Sequence, residues 1–101
     1  MIVVRNVFKI KFGKAKDAIQ AWKEILTLAK RLNFPSKSNR LLTDLVGDFY
    51  TVVFESEFAS LTDFENGAKT VMSNPEWQAV YARIVALTDS GYREIFNVVG
   101  E

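Results

Sequence analysis

The sequence contains no cysteine and no histidine. The first absence excludes disulfides and thiolate nucleophiles. The second excludes imidazole bases, and the two together remove the usual ligands of zinc and the histidine that commonly holds haem iron, so no metal is expected. A surplus of either charge is also lacking. The 13 Lys and Arg residues stand against 12 Asp and Glu, a net charge of +1, which provides no basic face for nucleic acid or for an anionic membrane surface. Long apolar runs are missing too: Ile2-Val3-Val4 is followed at once by Arg5, too short for a signal-peptide core, and nothing approaches the roughly 20 residues of a membrane span. A cytoplasmic protein is expected. Finally, no glycine-rich phosphate loop, nucleophile elbow or metal-spaced carboxylate cluster is present, so phosphoryl transfer and metal-assisted hydrolysis have no support.

What is present is an ordinary globular composition, 49% hydrophobic and 25% charged over 101 residues. That predicts one domain, residues 1–101, burying roughly two-thirds of its unfolded surface. Its organising stretch is Tyr50-Thr-Val-Val-Phe54. These β-branched and aromatic residues suit a strand, and the apolar run crosses both faces, so the strand requires cover on both sides.

The rest of the chain falls into elements around it. Residues 2–12 alternate as a first strand, with Val4, Phe8, Ile10 and Phe12 on one face. From Lys14 to Leu32, apolar residues at three-and-four spacing, Trp22 among them, predict an amphipathic helix that Pro35 terminates. Residues 39–46 form a weaker strand, and Gly47-Asp48 is a tight-turn signal that would join it to the central strand as a hairpin. Ser60 with Asp63 resembles a capping box and opens a helix packing Leu61, Phe64, Ala68 and Val71, weakened by Gly67. Asn74-Pro75 is a second helix start, leading to Trp77, Val80, Tyr81, Ile84, Val85 and Thr88 on one face. Gly91 is expected to stop that helix and Tyr92–Val99 to form the last strand.

Strand, helix, strand, strand, helix, strand is the split βαβ order of α+β, ferredoxin-like folds: a four-stranded antiparallel sheet with its helices on one face. The other face is then uncovered, and the alternation predicts Val3, Val7, Phe49, Val53, Ile95 and Val99 on it. An exposed apolar patch of that kind marks an interaction surface. The expected cover is a second copy, sheet against sheet, in a homodimer.

Several stretches, Phe12-Gly-Lys-Ala-Lys-Asp17, Trp22, Glu57-Phe-Ala-Ser-Leu-Thr-Asp-Phe64 and Asn74-Pro-Glu-Trp77, give the chain its likeness to a known group. It resembles the dimeric α+β barrel superfamily, which includes NIPSNAP-like proteins and antibiotic-biosynthesis-type monooxygenases. In members that degrade haem, the resemblance would place a site Asn at Asn6, an aromatic at Phe64 where Trp is usual, and a His near Tyr81. Two of these three positions depart, and no cofactor is expected. The resemblance also implies a pocket between helices and sheet lined by Asn6, Trp22, Tyr50, Phe64, Trp77 and Tyr81, with Asn6 and Tyr50 as donors to a phenolate or enolate oxygen.

Two functions follow from that pocket. One is a NIPSNAP-like binding module for a small apolar or aromatic ligand. The other is a cofactor-independent monooxygenase or isomerase acting on an aromatic or polyketide-like substrate, which would itself supply the electrons. Alternatively, Trp22, Trp77, Tyr50 and Tyr81 only fill the core. The strand carboxylates Asp44, Glu55, Glu57 and Glu94 are read as cross-strand partners of Arg5, Lys9, Arg40 and Arg93 before they are read as bases.

Overall fold

A computed structural model describes residues 1–100. The elements run β1 (Ile2–Ile10), α1 (Ala15–Arg31), β2 (Ser38–Thr43), β3 (Thr51–Phe58), α2 (Leu61–Met72), α3 (Pro75–Ala86) and β4 (Thr88–Asn97). All neighbouring strands pair antiparallel in the order β2-β3-β1-β4. This is the ferredoxin-like α+β arrangement, a layer of helices on a single sheet, and the shortest dimension of 18 Å matches those two layers.

Helix boundaries follow from local chemistry. At α2 the Ser60 Oγ accepts from the Asp63 amide at 3.2 Å, and at α3 the Asn74 Oδ1 accepts from the Trp77 amide at 3.0 Å, with Pro75 in the first turn. Each cap satisfies an amide that the helix itself leaves unpaired. The second half of the chain therefore holds two helices, separated at Ser73-Asn74. α1 ends through Asn33, which adopts a left-handed φ of 54°, and the Phe34 amide returns to the Ala29 carbonyl at 3.0 Å. This directs Phe34 and Pro35 onto α2 at Gly67, where a Cβ would lie 2.8 Å from both side chains. Gly67 weakens the helix locally and admits the loop.

The sheet face under the helices is apolar. Ile10 from β1 and Val52 and Phe54 from β3 are buried against Ala18, Ala21, Trp22, Ile25, Val80 and Ile84, while Ile2, Val4 and Phe58 form a second cluster under Phe34 and Phe64. Ser56, the buried polar residue on this face, donates to Asn39 Oδ1 at 2.6 Å.

Three expectations need correction. First, the β2–β3 connection is not a tight hairpin: the strands end at Thr43 and begin at Thr51, and residues 44–50 form a loop. Asp44 closes its base by accepting from the Thr51 amide at 3.0 Å, while Leu45 (95% exposed) and Val46 (94%) project from it. Second, Gly91 does not stop α3. The helix ends at Ala86, with the Leu87 amide donating to the Ile84 carbonyl at 3.0 Å, and Gly91 lies within β4 opposite Phe8. A Cβ there would stand 2.5 Å from Phe8 Cδ1, so the absent side chain makes room for the ring.

The third correction concerns the open face. Residues paired across an antiparallel ladder share a face. Val3, Val7 and Val53 are on the open side, Val7 opposite Val53. Ile95, however, pairs with Val4 and faces the helices, whereas Tyr92 and Phe96 pair with Val7 and Val3. Phe49 lies in the 44–50 loop and Val99 beyond β4. Apolar residues of both parities in β4 left its register undetermined by pattern alone. The centre of the face is ionic, with Glu55 and Glu94 in the expected cross-strand pairs: Arg5 meets Glu55 at 3.1 Å and Glu94 at 3.5 Å, and Arg40 meets Glu55 at 2.6 Å.

Candidate functional site

Between the helices and the sheet lies a cavity of about 520 Å³, within the range of small-molecule sites. Each layer contributes aromatic surface. From α1 comes Trp22, 3% exposed, whose ring stacks on Phe54 of β3 at 5.3 Å and tilts against Phe8 of β1 at 5.2 Å. The Asn33 turn places Phe34 over Trp77, ring centroids 6.3 Å apart. α2 adds Phe64, packed edge-on against Phe58 at 5.4 Å, and α3 adds Tyr81, edge-on to Trp22 at 6.5 Å. Such offset and edge-on arrangements suit ring quadrupoles and present a further ring with faces and edges to meet.

The polar contribution is small and directional. Asn6 and Arg93 are cross-strand partners in β1 and β4. Arg93 Nε donates to Asn6 Oδ1 at 2.6 Å, and the guanidinium lies 5.2 Å from the centre of the Phe64 ring. Because the Asn6 carbonyl oxygen accepts from Arg93, the Asn6 amide hydrogens and the terminal guanidinium nitrogens are the groups the pair presents to a ligand, and all are donors. Trp22 Nε1 is a further donor, buried without a hydrogen-bond partner. An aromatic hollow with a donor pair at one wall suits a planar ligand carrying an acceptor or anionic oxygen.

The α1 and α3 walls are tied together outside the cavity. Arg83 Nη1 donates to Glu24 Oε1 at 3.2 Å, and Arg31 meets Glu76 at 2.5 Å. Hydrogen bonding to Arg83 holds the Glu24 carboxyl below its ordinary value and raises Arg83 above its own, and the hydrogen bond to Glu76 raises Arg31 likewise.

The cavity brings together Asn6, Trp22, Phe64, Trp77 and Tyr81. Tyr50 is elsewhere. It closes the 44–50 loop at a φ of 60°, its carbonyl accepts from the Ile10 amide at 2.7 Å, and its ring packs on Phe12 at 4.8 Å. Its hydroxyl thus has no part in this site. Sequence reasoning missed Phe8, Phe34, Phe54 and Arg93 as lining residues. Parity within β1 and β3 could have found Phe8 and Phe54, but Arg93 needed the β1–β4 register, and Phe34 needed the turn at Asn33. Among the described residues, no helix is long and apolar enough to cross a membrane.

Solved structures share this fold over nearly the whole chain. An uncharacterised NIPSNAP domain protein from Burkholderia xenovorans superimposes with a TM-score of 0.83 at 17% identity, over 98% of this chain and 95% of that one. A NIPSNAP family protein from Agrobacterium tumefaciens gives 0.82 at 22% identity, over 95% and 90%. A cofactor-independent oxygenase from Streptomyces nogalater gives 0.75 at 14% identity, over 99% and 94%. No family model and no curated protein matches the sequence. The likeness is one of fold: the chain has the α+β fold common to NIPSNAP proteins and antibiotic-biosynthesis monooxygenases.

Proposed function

We propose that this chain, built on the fold of NIPSNAP proteins and antibiotic-biosynthesis monooxygenases, is a single-domain cytoplasmic protein that binds a small apolar or aromatic ligand between its helices and sheet. The observation that carries the reading is the aromatic cavity with the Asn6–Arg93 donor pair at its wall. Apolar enclosure supplies affinity and the donors supply orientation. No cofactor is needed for this. The working form is a homodimer, closed over the open sheet face through Val3, Val7 and Val53 with Tyr92 and Phe96, in which the ionic pairs of Arg5 and Arg40 set the alignment of the two sheets.

Native mass spectrometry of freshly purified protein tests both parts. A dimer carrying an added few hundred daltons, a mass on the order of a drug-sized ligand, is the expected spectrum. A monomer would refute the assembly, and a failure of aromatic amides and phenols to quench Trp22 and Trp77 fluorescence would refute the ligand site.

One observation favours a second reading, that of a cofactor-independent oxygenase. Donors fixed by their mutual hydrogen bond and by the Phe64 ring would stabilise a phenolate or enolate oxygen without reorganising. A phenol held there as its anion would pass electrons to dioxygen; one oxygen atom joins the ring carbon, and the other leaves as water with the ring and phenol hydrogens, giving a quinone. Oxygen uptake on adding a polycyclic phenol, lost in Asn6→Ala, would support this reading. Stable binding of the phenol in air without uptake would leave the binding function alone.

A further inference from the structure

The aromatic cavity has a neighbour. A second hollow of about 340 Å³ lies between α3 and β4, where Thr88, Asp89 and Ser90 form part of its wall. Asn6, Phe8, Tyr81 and Arg93 line both spaces. These four residues form a neck between an inner compartment walled by rings and an outer one that has Asp89 in its wall.

Three of the four are fixed in place. Phe8 packs on Trp22 at 5.2 Å and stands against Gly91, where no Cβ would fit. Asn6 and Arg93 hold one another at 2.6 Å, and Phe64 supports the guanidinium. Tyr81 is held more loosely. It meets Trp22 edge-on at 6.5 Å and is 37% exposed, and exposed side chains on helices change rotamer within nanoseconds. Arg93 is exposed as well but is tied to Asn6 and Phe64, so the adaptable residue of the neck is Tyr81.

We infer that Tyr81 sets the length of ligand this site accepts, and that the ligand is elongated. Its aromatic ring system occupies the inner cavity, an acceptor oxygen lies at the Asn6–Arg93 pair, and a short arm bearing a hydroxyl or amine passes Tyr81 towards Asp89. Each part is selected by complementary chemistry: rings by rings, an acceptor by a neck of donors, and a donor by the outer carboxylate. The inference rests on the ligand-binding reading above and adds to it the shape of the ligand and the residue that measures it.

The test compares 2-naphthamide with N-(2-hydroxyethyl)-2-naphthamide, which differ only in the arm. Binding is followed by quenching of Trp22 and Trp77 fluorescence in the full chain and in its Tyr81→Ala and Tyr81→Trp variants. The ratio of the two dissociation constants should move at least about tenfold in favour of the longer amide in Tyr81→Ala and against it in Tyr81→Trp, as expected when a pocket gains or loses room for a few heavy atoms. Asp89→Ala should weaken the hydroxyl-bearing amide alone. If both amides bind and their ratio is unchanged in both Tyr81 variants, the neck is refuted and the cavity stands. If neither amide binds the unmodified chain, the ligand-binding reading fails and the neck with it.

Discussion

Gly91 and Arg93 stand two positions apart on the same face of β4 and act on the cavity in opposite ways. Gly91 withholds a side chain where the Phe8 ring stands against the strand. Gly91→Ala would force that ring or the strand to shift, and should destabilise the fold by about 1–3 kcal/mol, the usual range for overpacking a filled site. Urea unfolding measures it, and an unchanged midpoint would mean that Phe8 has somewhere else to go. Arg93 contributes donors and orients Asn6. Arg93→Leu should weaken binding of an aromatic amide by about tenfold, the scale of one charge-assisted hydrogen bond, while leaving binding of naphthalene, which has no acceptor, nearly unchanged. Equal losses for both ligands in a fluorescence titration would assign Arg93 to packing instead.

At the scale of elements, the cavity depends on how α1 and α3 are held apart and together. Their interior contact is apolar, through Ile25, Val80 and Ile84, and two ion pairs, Glu24 with Arg83 and Arg31 with Glu76, close the outer side. The Glu24 carboxyl is held below its ordinary value of 4.5, chiefly by its hydrogen bond to Arg83. A carboxyl depressed in the folded chain contributes stability above its unfolded pKa and loses it as the pH falls through the folded one. Glu24→Gln should therefore unfold at lower urea than the unmodified chain near neutral pH, with the gap closing as the solution is acidified below about pH 4. Both groups are exposed, so the effect should be small and reduced by salt. A gap that persists undiminished in acid would show that the amide disturbs packing rather than charge. Neither ion pair was visible to pattern reading, since both join residues far apart in sequence.

For the whole molecule the decisive feature is that the helices cover one face of the sheet only. Dimerisation through the other face predicts that Phe96→Glu, a change at a partly exposed position opposite Val3, yields a folded monomer by sedimentation equilibrium. The change would replace an apolar contact by an unpaired charge within the proposed contact area. A Phe96→Glu dimer would place the interface elsewhere. Val53, on the same face, is already 9% exposed in the single chain, so a charge there would test folding and assembly together. Much of this architecture was legible in the sequence because it is written in local periodicity and end chemistry: the α1 stripe, the Ser60 and Asn74 caps, the alternation of β1 and the order of elements. Five of the aromatic and polar residues expected around a pocket, Asn6, Trp22, Phe64, Trp77 and Tyr81, do line one cavity. What tertiary structure alone decided were relations between strands and loops distant in the chain. The register of β4 turned Ile95 inward and Phe96 outward and brought Arg93 onto Asn6; the loop at 44–50 removed Tyr50 from the site; the turn at Asn33 placed Phe34 against Trp77. The physical reason is the two-residue period of a strand: its own pattern shows two faces, but when both carry apolar residues only the hydrogen-bonded partner determines which one is inside.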